Sequence, residues 1–125
     1  MFTAESGDKR MPRSTEEVLH DHLELRRIGD LDTDLARNYA ESSVLLCRYG
    51  VSEGHNAIRG SAQLLALQLP AVRFEYLACI THGESGFLEW RAESPDALIE
   101  DGADSYLIRD GLILVQTIHY TLIPR

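Results

Sequence analysis

Apolar side chains recur every three or four positions from residue 14 to residue 69, and every second position from residue 72 onward. The first period is that of helices packed on a core, the second that of strands with one buried face. Ser14-Thr15-Glu16-Glu17 opens the helical part, with Ser14 as N-cap and Glu17 as its capping-box partner. Val18, Leu19, His22, Leu25 and Ile28 then share one face, while Glu24, Arg26 and Arg27 lie opposite or flank it. Gly29 closes this helix. Asp30 or Asp32 caps a second helix to about Ala40, striped by Leu31, Leu35 and Tyr39, and Ser42-Ser43 break it. Residues 44–49, VLLCRY, predict a strand, and Gly50 starts a loop. A third helix follows Gly54 and runs to Pro70, with Ile58, Ala62, Leu65 and Leu69 on its buried line. Gly60 inside it predicts close packing, because glycine costs a helix interior about 1 kcal/mol relative to alanine.

In the second half Val72, Phe74, Tyr76, Ala78 and Ile80 alternate with Arg73, Glu75, Leu77, Cys79 and Thr81. A turn at residues 82–86 leads to the alternating strand FLEWRAES, and Pro95-Asp96 marks a connection. Ala103 to Arg109 predicts another strand, Asp110-Gly111 a hairpin turn, and LILVQTIHYTLI a long final strand. Three helices with one early strand, then four strands joined by short turns, give an α+β class with a mostly antiparallel sheet.

A chain of 125 residues fits one domain, expected over residues 15–125 behind a mobile polar tail at 1–14, where Met11 is an alternative start. The formal charge of −8 argues against nucleic-acid binding, which needs clustered Lys and Arg to displace counterions. No apolar run approaches the ~20 residues of a membrane span, and residues 1–15 lack the apolar core of a secretory signal. Cys47 and Cys79 are too few and too far apart for a disulfide framework or zinc pattern, so a cytoplasmic setting is expected. His20-Asp21-His22 does not read as a metal site, since adjacent helical positions point about 100° apart. There is no phosphate-binding loop and no nucleophile elbow, so neither metal nor cofactor is expected.

The Gly29-Asp30 bend, Tyr39-Ala40, SSVLLCRYG, Gly54 with Ala57-Ile58-Arg59, Trp90 and the Asp110-Gly111 turn occur in an order and spacing that resembles the nuclear transport factor 2-like superfamily. The resemblance covers residues 15–123 and is to the branch of SnoaL-like polyketide cyclases and ketosteroid isomerases. It implies a cystatin-like roll: a cone of strongly bent strands wrapped on three N-terminal helices, a pocket inside the cone, and a homodimer formed through the outer sheet face. Fold alone does not imply function, because such members include enzymes and non-enzymatic binding modules.

Two residues stand out for chemistry. His22 lies within the apolar stripe of the first helix, and an imidazole suits proton transfer near neutral pH; a core histidine satisfied by backbone is the other reading. By resemblance, His22 takes the place of the isomerases' oxyanion-binding tyrosine. Asp104 shares a face with Tyr106 and Ile108 and matches their second, protonated acid; a solvated acid at the strand start is the other reading. The general-base aspartate of the isomerases is replaced by Cys47. A pocket lined by Cys47, Trp90, Tyr106, Gln116, Ile118 and Tyr120 is expected to hold a small apolar molecule, with the direction of Trp90 open. Two functions follow: cofactor-free acid/base isomerisation, cyclisation or dehydration of a small apolar oxygenated compound, or a ligand-binding or dimerisation module without chemistry.

Overall fold

The computed structural model describes residues 12–125, so Met11 and most of the expected tail lie outside the described residues. The last residues of that tail are held rather than loose. Arg13 donates to Asn38 Oδ1 at 2.8 Å and to the carbonyls of Arg37 and Gly111 at 2.7 and 2.9 Å.

Helix α1 spans Thr15–Ile28 and opens on the complete Ser14/Glu17 capping box. It ends at Gly29, whose φ of 80° is the left-handed conformation that glycine takes without strain. Val18, Leu19, His22, Leu23 and Leu25 are buried, whereas Ile28, expected on the inner face, is 59% exposed at the last position of the helix. Helix α2 spans Leu31–Asn38 and is capped by Asp30, which accepts from the Thr33 N–H. It is shorter than the periodicity predicts because Tyr39 is already extended, with φ −112° and ψ 133°. Strand β1 therefore runs Tyr39–Cys47. Ser42-Ser43 mark an irregularity inside β1 rather than a break before it. There the register to its neighbour shifts, and Ser43 Oγ donates to the carbonyls of Ala40 and Ile113. The expected loop at Gly50 is strand β2, Gly50–Glu53, which folds back antiparallel on β1.

Helix α3 spans His55–Gln68. Ile58 and the following Leu69 are buried, while Ala62 and Leu65 are half-buried. Close packing at Gly60 is not found: the residue is exposed and a Cβ there would meet open space.

The remaining strands are β3 Arg73–His82, β4 Ser85–Glu93, β5 Ala97–Arg109, β6 Leu112–His119 and β7 Ile123–Pro124. Their order is β2-β1-β6-β5-β4-β3, with β7 on the start of β5. All pairs are antiparallel except β1 with β6, giving an open, mixed seven-stranded sheet in an α+β fold. Asp110 (φ 53°) and Gly111 (φ 77°) make the tight β5–β6 turn that the sequence announces. Strand β5 begins six residues earlier than its alternation suggests, because a bulge interrupts the pattern: Trp90 pairs with Gly102 but Ala92 with Ile99. Strand β6 stops at His119, and Ile123-Pro124 pairs separately with Leu98 and Ala97. Helix α1 packs on β3, β4 and β5, and α3 on β1 and β2, so the inner sheet face and the three helices enclose the core.

Trp90 turns inward and is 4% exposed. Its ring lies over Gly102, where a Cβ would stand 2.3 Å from ring carbons. Since overpacking a filled core generally costs about 1–3 kcal/mol, Gly102→Ala is expected to lower stability by about that amount and to change the Trp90 fluorescence spectrum. Urea unfolding followed by fluorescence checks this; a variant with unchanged midpoint and spectrum would contradict the close approach.

Candidate functional site

The site begins on α1 and α2, where three polar side chains are packed beneath apolar ones. His22 is 4% exposed, and Asp34 and Asn38 are fully buried. A buried polar group stays bound only if it is hydrogen-bonded, and each of these is. His22 Nδ1 lies 2.8 Å from Asp34 Oδ2, and Asn38 Nδ2 donates to Asp34 Oδ1 at 2.8 Å. Asn38 also donates to Asp21 and accepts from Arg13, so the carboxylate under the histidine is reached from the surface by a single chain of bonds. The Arg37 guanidinium on Asp21, at 2.6 and 2.9 Å, holds that outer carboxyl below its usual value. With Asp34 accepting from Nδ1–H, the ring is fixed in orientation and presents Nε2 to the sheet.

What Nε2 meets is the Tyr106 hydroxyl of β5, 3.2 Å away. That hydroxyl stands 3.3 Å from Asp104 Oδ2, two residues back on the same face of the strand. Asp104 is 8% exposed, inward as the alternation predicts and away from the solvated rim. Trp90 Nε1–H donates to its Oδ1 at 2.9 Å and the Gln116 amide to its Oδ2 at 3.0 Å. Tyr39 donates its O–H to Gln116 Oε1, which fixes the amide with its nitrogen toward Asp104. Burial pushes the Asp104 carboxyl above its ordinary value, against the donors Trp90 and Gln116 and the nearby His22. Burial, with the Asp104 charge second, also pushes the Tyr106 phenol well above its ordinary value, which keeps it a proton carrier.

One proton on the Tyr106 oxygen serves two neighbours. When Nε2 is bare, Tyr106 donates to it and accepts from a protonated Asp104. When Nε2 carries a proton, Tyr106 accepts from the imidazole and donates to the Asp104 carboxylate. Moving one proton between His22 and Asp104 through Tyr106 interconverts the two without changing the charge of the cluster. The contacts of the Tyr106 hydroxyl with His22 and Asp104 are longer than the ~2.7–2.8 Å usual for O–H donors, as catalytic bonds often are before substrate tightens them.

The cluster borders a cavity of about 70 Å³ that opens to solvent. Its buried lining includes His22, Tyr39, Leu88, Trp90, Asp104, Tyr106 and Gln116. Half-buried Arg26, Leu31, Leu65, Phe74, Tyr76, Ile118 and Tyr120 complete the wall. Seven of the eight residues singled out from the sequence thus surround one space. The eighth, Cys47, does not. It lines a neighbouring depression with Arg48, Tyr49 and Leu64, separated from the cavity by the shared residues Ser61, Ile118 and Tyr120. It stands at the far end of β1, beyond the irregularity at Ser43, so counting along the chain from Tyr39 misjudges where it arrives.

Asp34, Asn38, Tyr39 and Arg26 were not singled out. Leu31, Asp34, Leu35 and Asn38 fall at i, i+3, i+4 and i+7, so an acid and an amide on an otherwise apolar helical face were the available signal. Arg26 sits one turn after His22 on α1, a spacing that puts both on the same side. Among the described residues, no cluster of three His, Cys, Asp or Glu side chains has a metal-holding arrangement.

No family model and no curated protein matches the sequence. Solved structures do match. TerC, co-crystallised with polyporic acid, superposes with a TM-score of 0.72 at 16% identity, over 86% of this chain and 91% of TerC. A candidate ketosteroid isomerase from Kribbella flavida gives 0.72 at 14% identity, over 90% of this chain and 82% of its own. A SnoaL-like protein of unknown function from Burkholderia thailandensis gives 0.68 at 16% identity, over 86% and 94%. At these identities the likeness is one of fold, and the fold of this chain is the nuclear transport factor 2-like fold that SnoaL-like and ketosteroid isomerase-like proteins share.

Proposed function

We propose that the protein is a small-molecule enzyme that moves protons with its own side chains: an isomerase, cyclase or dehydratase acting on a compact, largely apolar oxygenated compound. The carrying observation is the buried line Asp34–His22–Tyr106–Asp104 along the wall of an open cavity. In this reading His22 Nε2 takes a proton from the substrate and returns it elsewhere, while Asp34 holds the ring. Tyr106 and neutral Asp104 donate to the substrate oxygen on which negative charge develops, in a water-poor wall where such donors act strongly. Trp90, Phe74, Ile118 and Tyr120 pack the apolar body of the substrate. The fold neighbours support this general kind of function, and the co-crystallisation of TerC with polyporic acid supports a small organic ligand for a protein of this fold. Cys47 has no part in it.

A second reading, a ligand carrier without chemistry, is favoured by one observation: every polar group of the line already has a partner within the protein, as a purely structural network does. We also propose a homodimer through the outer sheet face. There Ile80 and Phe87, 61% and 39% exposed, pair across β3 and β4 beside Ser105 and Thr117.

The catalytic reading is tested with cyclohex-3-enone, following the absorbance of its conjugated isomer. His22→Gln suits the test because alanine would leave the Asp34 carboxylate buried without its donor, whereas glutamine keeps an amide N–H. The wild type is expected to accelerate isomerisation, and His22→Gln to lose on the order of 10²–10³-fold in rate. A wild-type rate equal to buffer, with the Trp90 indole resonance shifted by the ketone, favours the carrier.

The raised Asp104 carboxyl has a signed consequence. Its folded-state value lies above the ordinary 3.8, so the fold favours the neutral acid. That contribution is complete below the unfolded value and is lost as pH rises through the folded one. Asp104→Asn cannot titrate, so its stability relative to wild type is expected to rise between about pH 4 and pH 7 in urea titrations. A flat or falling difference would contradict a neutral Asp104. For the dimer, sedimentation of wild type and Phe87→Glu is expected to give two-chain and one-chain masses respectively; equal masses overturn the interface.

A further inference from the structure

Every described arginine except two forms an ion pair with an aspartate or glutamate. The exceptions are Arg48, which is exposed, and Arg26, which is half-buried in the wall of the cavity. Arg27, next along the helix, pairs with Glu24 in solvent, so the end of α1 already has one guanidinium engaged there. Arg26 instead lines the same space as Tyr39 and Tyr76, and its positive charge pulls both phenols down against the burial that raises them. A guanidinium partly withdrawn from water without an anion is unfavourable, and an anion brought into the cavity relieves it.

From this placement we infer that Arg26 is the specificity residue for a carboxylate on the substrate, a reading that rests on the small-molecule site proposed above. Arg26 follows His22 by four residues on α1, so the two side chains leave the helix about 5–6 Å apart on one face. The ligand is thus a compact acid whose reacting carbonyl or hydroxyl stands about one helical turn from its carboxylate. Its direction is fixed too. Asp34 lies behind His22 and disfavours an anion on that side, while Arg26 holds it at the half-buried wall. A planar guanidinium also suits the two oxygens of a carboxylate better than those of a single hydroxyl.

The probes are 4-hydroxybenzoate and its neutral isostere 4-hydroxybenzamide, titrated at neutral pH. Trp90 is the only tryptophan, and its indole N–H bonds Asp104 inside the site, so one resonance reports occupancy. The wild type is expected to bind the acid about tenfold more tightly than the amide, as suits a charge-assisted pair. Arg26→Gln is expected to abolish that preference while leaving amide binding within about twofold, and Arg26→Lys to retain most of it. Equal binding of acid and amide by wild type, or a preference that survives Arg26→Gln, overturns the assignment of Arg26 and leaves the ligand site standing. If neither probe moves the Trp90 resonance, the assignment falls together with the small-molecule site.

Discussion

The arrangement of this molecule turns on one carboxylate that never reaches water. Asp34 sits fully buried where α1 and α2 meet, and such a group is tolerated only while its lone pairs are occupied. Two donors occupy them, the His22 ring and the Asn38 amide, and each is thereby fixed in direction. Removing either donor would leave one oxygen of a buried carboxyl without a partner, a more serious loss than the bond itself. The helices therefore cannot repack without disturbing the histidine, and the histidine cannot turn without exposing the fault. From that anchor, Nε2 faces β5, and everything further along the sheet is arranged around its direction.

Much of the fold was legible because its signals are local. The Ser14/Glu17 box, Gly29, Asp30 and the Asp110-Gly111 turn act over a few residues, so the chain reports them directly. Strand alternation likewise put Asp104 with Tyr106 on one face of β5 and Gln116 with Ile118 and Tyr120 on one face of the final strand. What escaped depends on distant partners. The early start of β1 follows from Ser43 bonding the Ile113 carbonyl, seventy residues on. Strand β2 exists only because β1 is there to pair with it. Gly60 shows the converse error: a local irregularity was given a tertiary cause, and its surroundings are empty.

The candidate site divides in the same way. His22 and Asp104 were visible as polar residues out of keeping with apolar faces, whereas Asp34 and Asn38 have the same character on a helix too short for its stripe to stand out. Arg26 was read as opposite or flanking because its charge suggested a solvated position, although its spacing of four from His22 puts it on the same side of α1. Cys47 was reached by counting, and counting fails across an irregular strand.

The bulge opposite Arg91 has a meaning beyond its local geometry. Ahead of it, Ala97 and Ile99 are the buried residues of β5; behind it, Gly102, Asp104, Tyr106 and Ile108 are. Odd positions give way to even ones across the two exposed acids Glu100 and Asp101. The strand thus carries two phases of alternation joined by one extra residue, and the chemistry-bearing phase is set by that insertion rather than by the strand's beginning. Losing a single residue at this joint would leave β5 a choice between turning its second half inside out and dragging its first half out of step with β7.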